Sequence, residues 1–327
     1  MKKRANYFLY AVDDAYIPLV EVSILSIIEN NKELKLEIYI VTEPEETENK
    51  KKLQKLCNDQ IQLNFIDNSL AIEELKKTGV QPWKGSYATF TKFSYLDKLS
   101  VDFVWIIDAD IICNNSIPEI YINDNMLFGA VLDSCYWEYN LNIGMKNTDK
   151  YFNAGVLFMN CKKWKKDNNY SEFLKCLKYK KNYLFADQDI MNIAFQTRIQ
   201  LLDPSLNWLA GYDIFGIANT YKIYKLERKY FYPINDVIDN SNRIIFYHCL
   251  GGMTGKPWER NNTHPYKLLF EKYHEMSSFH DLGSLAGRND SLFFMIQRNL
   301  FKLLPNNIYN PIHSYFICRF LKSRKKL

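Results

Sequence analysis

The chain has 327 residues, 47% of them hydrophobic and 15% aromatic, with a net charge of +5, which is enough apolar side chain for a substantial core without staples. Its seven cysteines are odd in number, scattered and never spaced as Cys-x-x-Cys, which excludes a disulfide framework or zinc knuckle and points to a reducing compartment. No uninterrupted apolar stretch approaches the ~20 residues of a membrane-spanning helix, and the apolar run behind Met1-Lys2-Lys3-Arg4 is cut at Asp13-Asp14, so it reads as a first strand and not a signal peptide.

In chain order, Asn6–Val12 reads as a strand, Ile17–Asn30 as a helix opened near Pro18, and Leu36–Thr42 as a second strand. Glu45–Leu56 follows as a charged surface helix, Ile61–Ile66 as a third strand and Phe103–Ile107 as a fourth, almost wholly apolar one. Apolar runs without alternation are those of strands buried on both faces, so the expected architecture is an α/β fold with a mostly parallel central sheet covered by helices. Ligands in such sheets sit outside the carboxyl ends of the strands. The phosphate-loop and dinucleotide glycine motifs are both absent, which weighs against an NTPase or a dinucleotide oxidoreductase.

The fourth strand runs into Asp108-Ala109-Asp110. Residues i and i+2 of a strand face the same way, so both carboxylates are expected to converge on one cation at the strand end. Such a cation suits a departing nucleoside diphosphate, on which charge builds as a glycosidic bond breaks. An Asp-x-Asp pair occurs about once by chance in a chain of this composition, and Asp187-Gln188-Asp189 is a second. Solvated strand-end acids are the competing explanation.

Four segments in order resemble glycosyltransferase family 8. After the first strand, Ala11-Val-Asp13-Asp14-Ala-Tyr16 resembles the family's uridine site, which implies that Asp13 bonds the uracil edge and Tyr16 stacks on the ring. Phe90-Thr-Lys92-Phe93 precedes the Asp-x-Asp strand and is similar to the glycogenin-like form of the next motif. Tyr151-Phe-Asn153-Ala154-Gly155 and Ala186-Asp187-Gln188-Asp189 resemble the segments that line the donor sugar. His248-Cys-Leu-Gly251-Gly-Met-Thr-Gly255-Lys256-Pro-Trp258 is similar to the family's last motif but has two extra residues between His248 and Lys256, so Gly251 and Gly255 are both candidates for the diphosphate.

The resemblance implies a GT-A-type nucleotide-sugar transferase fold, with UDP-galactose or UDP-glucose as donor and a metal held by Asp108, Asp110 and His248. A mixed nitrogen and oxygen set suits Mn²⁺, with Mg²⁺ as the alternative. Lys256 is placed to neutralise diphosphate charge. The family retains the anomeric configuration, and Gln188 is a poor nucleophile; Asp133 or Asp189 would have to lie beneath the anomeric carbon to attack it. The favoured mechanism is a same-face substitution in which Gln188 and Asn153 stabilise charge and position the sugar. Gly129-Ala-Val-Leu-Asp133 is similar to the family strand whose acid faces the acceptor.

Residues 285–327 hold eight Lys or Arg against one acid, Asp290; with +5 for the whole chain, residues 1–284 carry −2. The expected organisation is a catalytic domain over residues 1–280 and a basic, aromatic, helical tail over 281–327 that attaches to an anionic membrane surface, the alternative being a C-terminal helix packed on the catalytic domain with solvated lysines. The expected location is cytoplasmic and peripheral at the inner membrane face, with a lipid-linked surface glycan as acceptor and no nucleic acid as partner. A glycogenin-like or protein-directed transferase, or a non-catalytic nucleotide-sugar-binding protein, are the alternatives.

Overall fold

The computed structural model describes residues 2–3, 6–179, 183–283 and 292–323. Among them the strands are β1 (Lys2–Lys3), β2 (Tyr7–Ala11), β3 (Leu36–Thr42), β4 (Ile61–Asp67), β5 (Phe103–Ile107), β6 (Ile111–Cys113), β7 (Ile120–Tyr121), β8 (Phe128–Leu132), β9 (Phe152–Asn160), β10 (Ile199–Leu201), β11 (Trp208–Leu209) and β12 (Phe246–His248). Seven of them form the central sheet in the order β10-β8-β9-β5-β2-β3-β4.

Both faces of this sheet are buried, as the unbroken apolar runs predict. Phe8, Tyr10, Trp105, Ile107, Val156 and Phe158 enter the core layer on one face. Their neighbours Leu9, Val104, Ile106, Leu157 and Met159 enter the layer on the other. The helix Ile17–Asn30, with proline in its first turn, covers the first face through Ile17, Val20, Ile24 and Ile27.

One strand runs against the rest. The pairs β2–β3, β3–β4, β2–β5 and β10–β8 are parallel, whereas β9 is antiparallel to both β5 and β8. The reversal brings the start of β9 to the edge where its neighbours end: Asp108 N–H donates to Gly155 O at 2.9 Å, and Asp133 N–H to Tyr151 O at 2.9 Å. A second sheet, β11-β12-β6, sits beside this edge and pairs His248 with Ile111.

The basic C-terminal segment, expected either at a membrane surface or packed on the catalytic domain, lies against the body where it is described. Helices Leu292–Leu303 and Asn306–Ser323 turn Tyr309, His313, Cys318 and Leu321 inward, and Ser314 Oγ donates to Ile223 O at 2.7 Å. Lys322 pairs with Glu138 at 2.9 Å. The apolar face of the tail is wide enough to pack on the body and still present side chains outward. Arg288, Asp290, Arg324, Lys325 and Lys326, which carry much of the tail's charge, lie outside the described residues. No described helix is long and apolar enough to cross a membrane.

Candidate active site

Asp108 and Asp110 do not sit on a strand. β5 ends at Ile107 and β6 begins at Ile111, so the two acids occupy the tight turn between them, closed by Ile111 N–H donating to Asp108 O at 3.2 Å. Their convergence comes from the turn and not from strand alternation. Cys249 N–H donates to Asp110 O at 2.9 Å, which clips the turn to the end of β12 and brings His248 to it. Ligand atoms of Asp108, Asp110 and His248 lie within 4.8 Å of one another.

These residues fit a divalent cation on their own chemistry. His248 Nδ1 lies 3.1 Å from Asn207 Oδ1, an acceptor, so Nδ1 carries the proton and the bare Nε2 faces Asp110 Oδ1 at 3.4 Å. Two acceptors facing each other at that distance call for a cation between them. Lys256 meets the other oxygen of Asp110. Burial opposes the Asp110 charge, but the Lys256 ammonium beside it holds its carboxyl well below the usual range.

Lys92 gathers three of the sequence motifs. Only 2% exposed, it pairs with Asp108 at 3.1 Å and Asp187 at 2.8 Å, and reaches Ala154 O at 3.4 Å. Burial works against its charge, yet Asp108 and Asp187 together hold the ammonium above its ordinary pKa. Asp187 opens the helix Asp187–Phe195 and is bonded by Thr89; its side chain makes no capping bond to that helix. Its carboxyl is raised by burial, against the pull of Lys92.

Asn153 and Gln188 both donate to one oxygen of Asp133, at 3.0 and 2.8 Å. Their own oxygens accept from backbone: Gly155 N–H bonds Asn153 Oδ1 at 2.9 Å and Ala154 N–H bonds Gln188 Oε1 at 3.0 Å. Asp189 differs. Its carboxylate is fully buried and accepts from Tyr139 OH at 2.7 Å, Tyr151 OH at 2.5 Å and Phe185 N–H at 3.0 Å, so it offers no oxygen to the cleft.

At the other end of the cleft, Asp13 follows Ala11 and Val12 beyond β2, and Ser86 Oγ donates to its Oδ1 at 2.7 Å. Half-burial raises the Asp13 carboxyl against that bond. Tyr16 is 51% exposed, which leaves a ring face free for stacking. In the glycine loop, a Cβ on Gly251 would lie 3.2 Å from the backbone of Gly255, and Gly255 has φ +81° with Glu259 and Arg298 packed around it. Both glycines are needed for the loop to wind this tightly.

Sequence reasoning missed Asn207, Thr89, Ser86 and Arg298. Asn207, Ser86 and Arg298 reach the site from segments without a motif, and Thr89 stands one residue ahead of Phe90-Thr-Lys92-Phe93, so spatial proximity reveals them.

Comparison with known proteins agrees with this geometry. Lipopolysaccharide 1,2-glucosyltransferase of Escherichia coli strain K12 is 27% identical over 274 residues, covering 80% of this chain and 76% of that protein. Glycosyltransferase GlyF of Streptococcus pneumoniae serotype 4 is 26% identical over 295 residues, 88% of this chain and 65% of that one. Among solved structures, the galactosyltransferase LgtC in complex with donor and acceptor sugar analogs superposes with a TM-score of 0.63 at 21% identity, covering 83% of this chain and 96% of that chain. GlyE of Streptococcus pneumoniae superposes with a TM-score of 0.57 at 19% identity, covering 88% and 67%. The fold is therefore the GT-A glycosyltransferase fold. The model of glycosyl transferase family 8 matches residues 8–262, a span that holds every site residue described above except Arg298, and the chain belongs to that family.

Proposed function

We propose that the protein transfers glucose or galactose from a UDP-sugar to a hydroxyl of a surface glycan, with retention of the anomeric configuration. The carrying observation is the meeting at one sheet edge of the Asp108, Asp110 and His248 cluster with the Asp133, Asn153 and Gln188 network. Similarity to lipopolysaccharide 1,2-glucosyltransferases supports a hexose donor and a glycan acceptor.

Asp13 bonds the uracil edge and Tyr16 stacks on the ring. The Gly251–Gly255 loop and Lys256 receive the diphosphate, where Lys256 swings from Asp110 onto the phosphates as a mobile point charge. Asp108, Asp110 and His248 hold the divalent ion, Mn²⁺ by donor set, which would supply positive charge against the departing diphosphate. Gln188, Asn153 and Asp133 orient the sugar. The bond from the anomeric carbon to phosphate breaks, the bond to the acceptor oxygen forms on the same face, and the acceptor proton passes to the leaving phosphate oxygen. Asp189 positions the helix that carries Gln188 and takes no part as a nucleophile.

The exposed face of the C-terminal helices supports work at an anionic lipid surface. Leu292, Met295, Ile296, Leu303 and Tyr315 point outward beside exposed Lys302, Arg319 and Lys322.

UDP release from a panel of UDP-hexoses, with Mn²⁺ and with EDTA, tests the reading because slow donor hydrolysis needs no acceptor. Absence of UDP release from every donor would overturn it. A gain of hexose mass on the protein itself would make the chain its own acceptor.

A further inference from the structure

The proton directions around His248 can be followed from a fixed starting point. The Gly155 backbone N–H can only donate, and it donates to Asn153 Oδ1. The second group on that oxygen, 2.8 Å away on Asn207, must then be the Nδ2 amide. Asn207 Oδ1 is left facing His248 Nδ1 at 3.1 Å, so that nitrogen bears the hydrogen and Nε2 stays bare toward the two acids. Asn207 is fully buried, at the end of the turn Pro204–Asn207 just before β11. It is held by the pairing of β11 with β12, in which its neighbour Trp208 lies opposite Tyr247.

We propose that Asn207 is a positioning residue that sets the tautomer and ring orientation of His248 and links the cation site to the donor-side amides. An unconstrained imidazole prefers its proton on Nε2, which here would point at Asp110 and close the site to a metal. One amide group prevents this by offering its oxygen to Nδ1. Its nitrogen, bonded to Asn153 Oδ1, turns the Asn153 amide toward Asp133. A shift of Asn207 therefore moves both halves of the site together. The link rests on the transferase reading for its meaning, but its physical test does not.

The first measurement uses the full chain, ¹⁵N-labelled and metal-free, at alkaline pH where imidazoles are neutral. Long-range ¹⁵N–¹H spectra should show His248, assigned by loss of its signal in His248→Gln, protonated on Nδ1 and bare on Nε2. A proton on Nε2 overturns the proposal. The second is calorimetry with Mn²⁺ alone. Asn207→Leu keeps the volume and removes both bonds, and should lower Mn²⁺ affinity about 10–100-fold, as losing the partner of a metal-bound histidine does. Asn207→Asp keeps an acceptor for Nδ1 and should bind Mn²⁺ within about 3-fold of the native chain. It loses the donor to Asn153, so UDP-sugar hydrolysis should fall in kcat more than it changes in KM. Equal Mn²⁺ affinity in a folded Asn207→Leu overturns the role; should that variant not fold, the tautomer measurement decides. If no UDP-sugar is hydrolysed while the tautomer and Mn²⁺ results hold, the transferase reading fails and the positioning role stands.

Discussion

A Cβ placed on Gly155 would lie 2.4 Å from Cε1 of His248 and 2.9 Å from its Nδ1, so strand β9 and the histidine that faces it can touch only through a glycine. Gly155 → Ala should leave the strand ladder intact, because its backbone is ordinary β structure, and should displace the ring. Overpacking of this kind costs about 1–3 kcal/mol in stability. The effect on function should be larger, since a shift of about 1 Å in a reacting group costs on the order of 10²-fold in rate. UDP release set beside a thermal melt separates the two, and native activity in the alanine variant would remove the close approach from the argument.

Lys92 offers a second test. It is the buried cation between Asp108 and Asp187, and removing one partner of such a cluster is costly because the opposing charges stay behind. Lys92→Met should destabilise the chain by about 3–5 kcal/mol in urea unfolding at neutral pH. Adding Asp187→Asn should recover part of that loss. If the second change makes matters worse by its own full amount, the two side chains are not coupled.

Much of this was legible in the sequence, and the remainder was hidden for identifiable reasons. Helix Ile17–Asn30 and strands Leu36–Thr42 and Phe103–Ile107 stand where apolar runs and Pro18 put them, because two-sided burial leaves a strong local signal. The reversed direction of β9 has no such signal: Phe152–Asn160 is buried along its whole length, and a wholly buried strand reads alike in either direction. The placing of Asp108 and Asp110 in a turn depended on β12 arriving to pair with β6, more than a hundred residues later in the chain. Asp189 belongs to a motif, but its surroundings are Tyr139 and Tyr151, and only packing reveals that its oxygens are taken. Asn207 carries no motif at all.

Acid should weaken the fold in a defined window. His264 and His313 are both buried, and burial lowers each to about 4. His264 accepts from Tyr266 N–H at 3.1 Å and bonds Leu250 O at 3.2 Å, while His313 stacks on Phe215 and Tyr309. With the folded value below the unfolded value of about 6.5, the unfolded chain takes up the proton first. Stability is therefore fully present above about pH 6.5 and is lost as pH falls toward 4, by up to about 3 kcal/mol for each group. Melting temperatures taken at pH 7.5 and 4.5 should fall less for His313→Phe than for the native chain. Parallel falls in both proteins would mean that His313 is protonated in the fold.

The last prediction separates membrane attachment from folding. Arg298, on helix Leu292–Leu303, donates to Met253 O at 3.3 Å and lies 3.9 Å from Glu259, which in turn accepts from Lys256 N–H at 3.0 Å. The C-terminal segment thus braces the loop proposed to receive the diphosphate. Ending the chain at Gly283 would remove that brace and uncover Phe215, Ile223 and Met253, so loss of liposome binding by such a truncation would say nothing specific about lipid. Substitutions on the outward face are cleaner. Leu292 is 71% exposed and Ile296 is 49% exposed, four residues apart on one side of the helix and away from the brace. Leu292→Glu with Ile296→Glu removes apolar anchors and adds two negative charges, each opposing an anionic leaflet by about 1 kcal/mol. The pair should lower binding to anionic liposomes by at least about 10-fold, with UDP-sugar hydrolysis and the melting temperature unchanged. Native binding of the doubly substituted protein to such vesicles, insensitive to salt, would assign this face to another use.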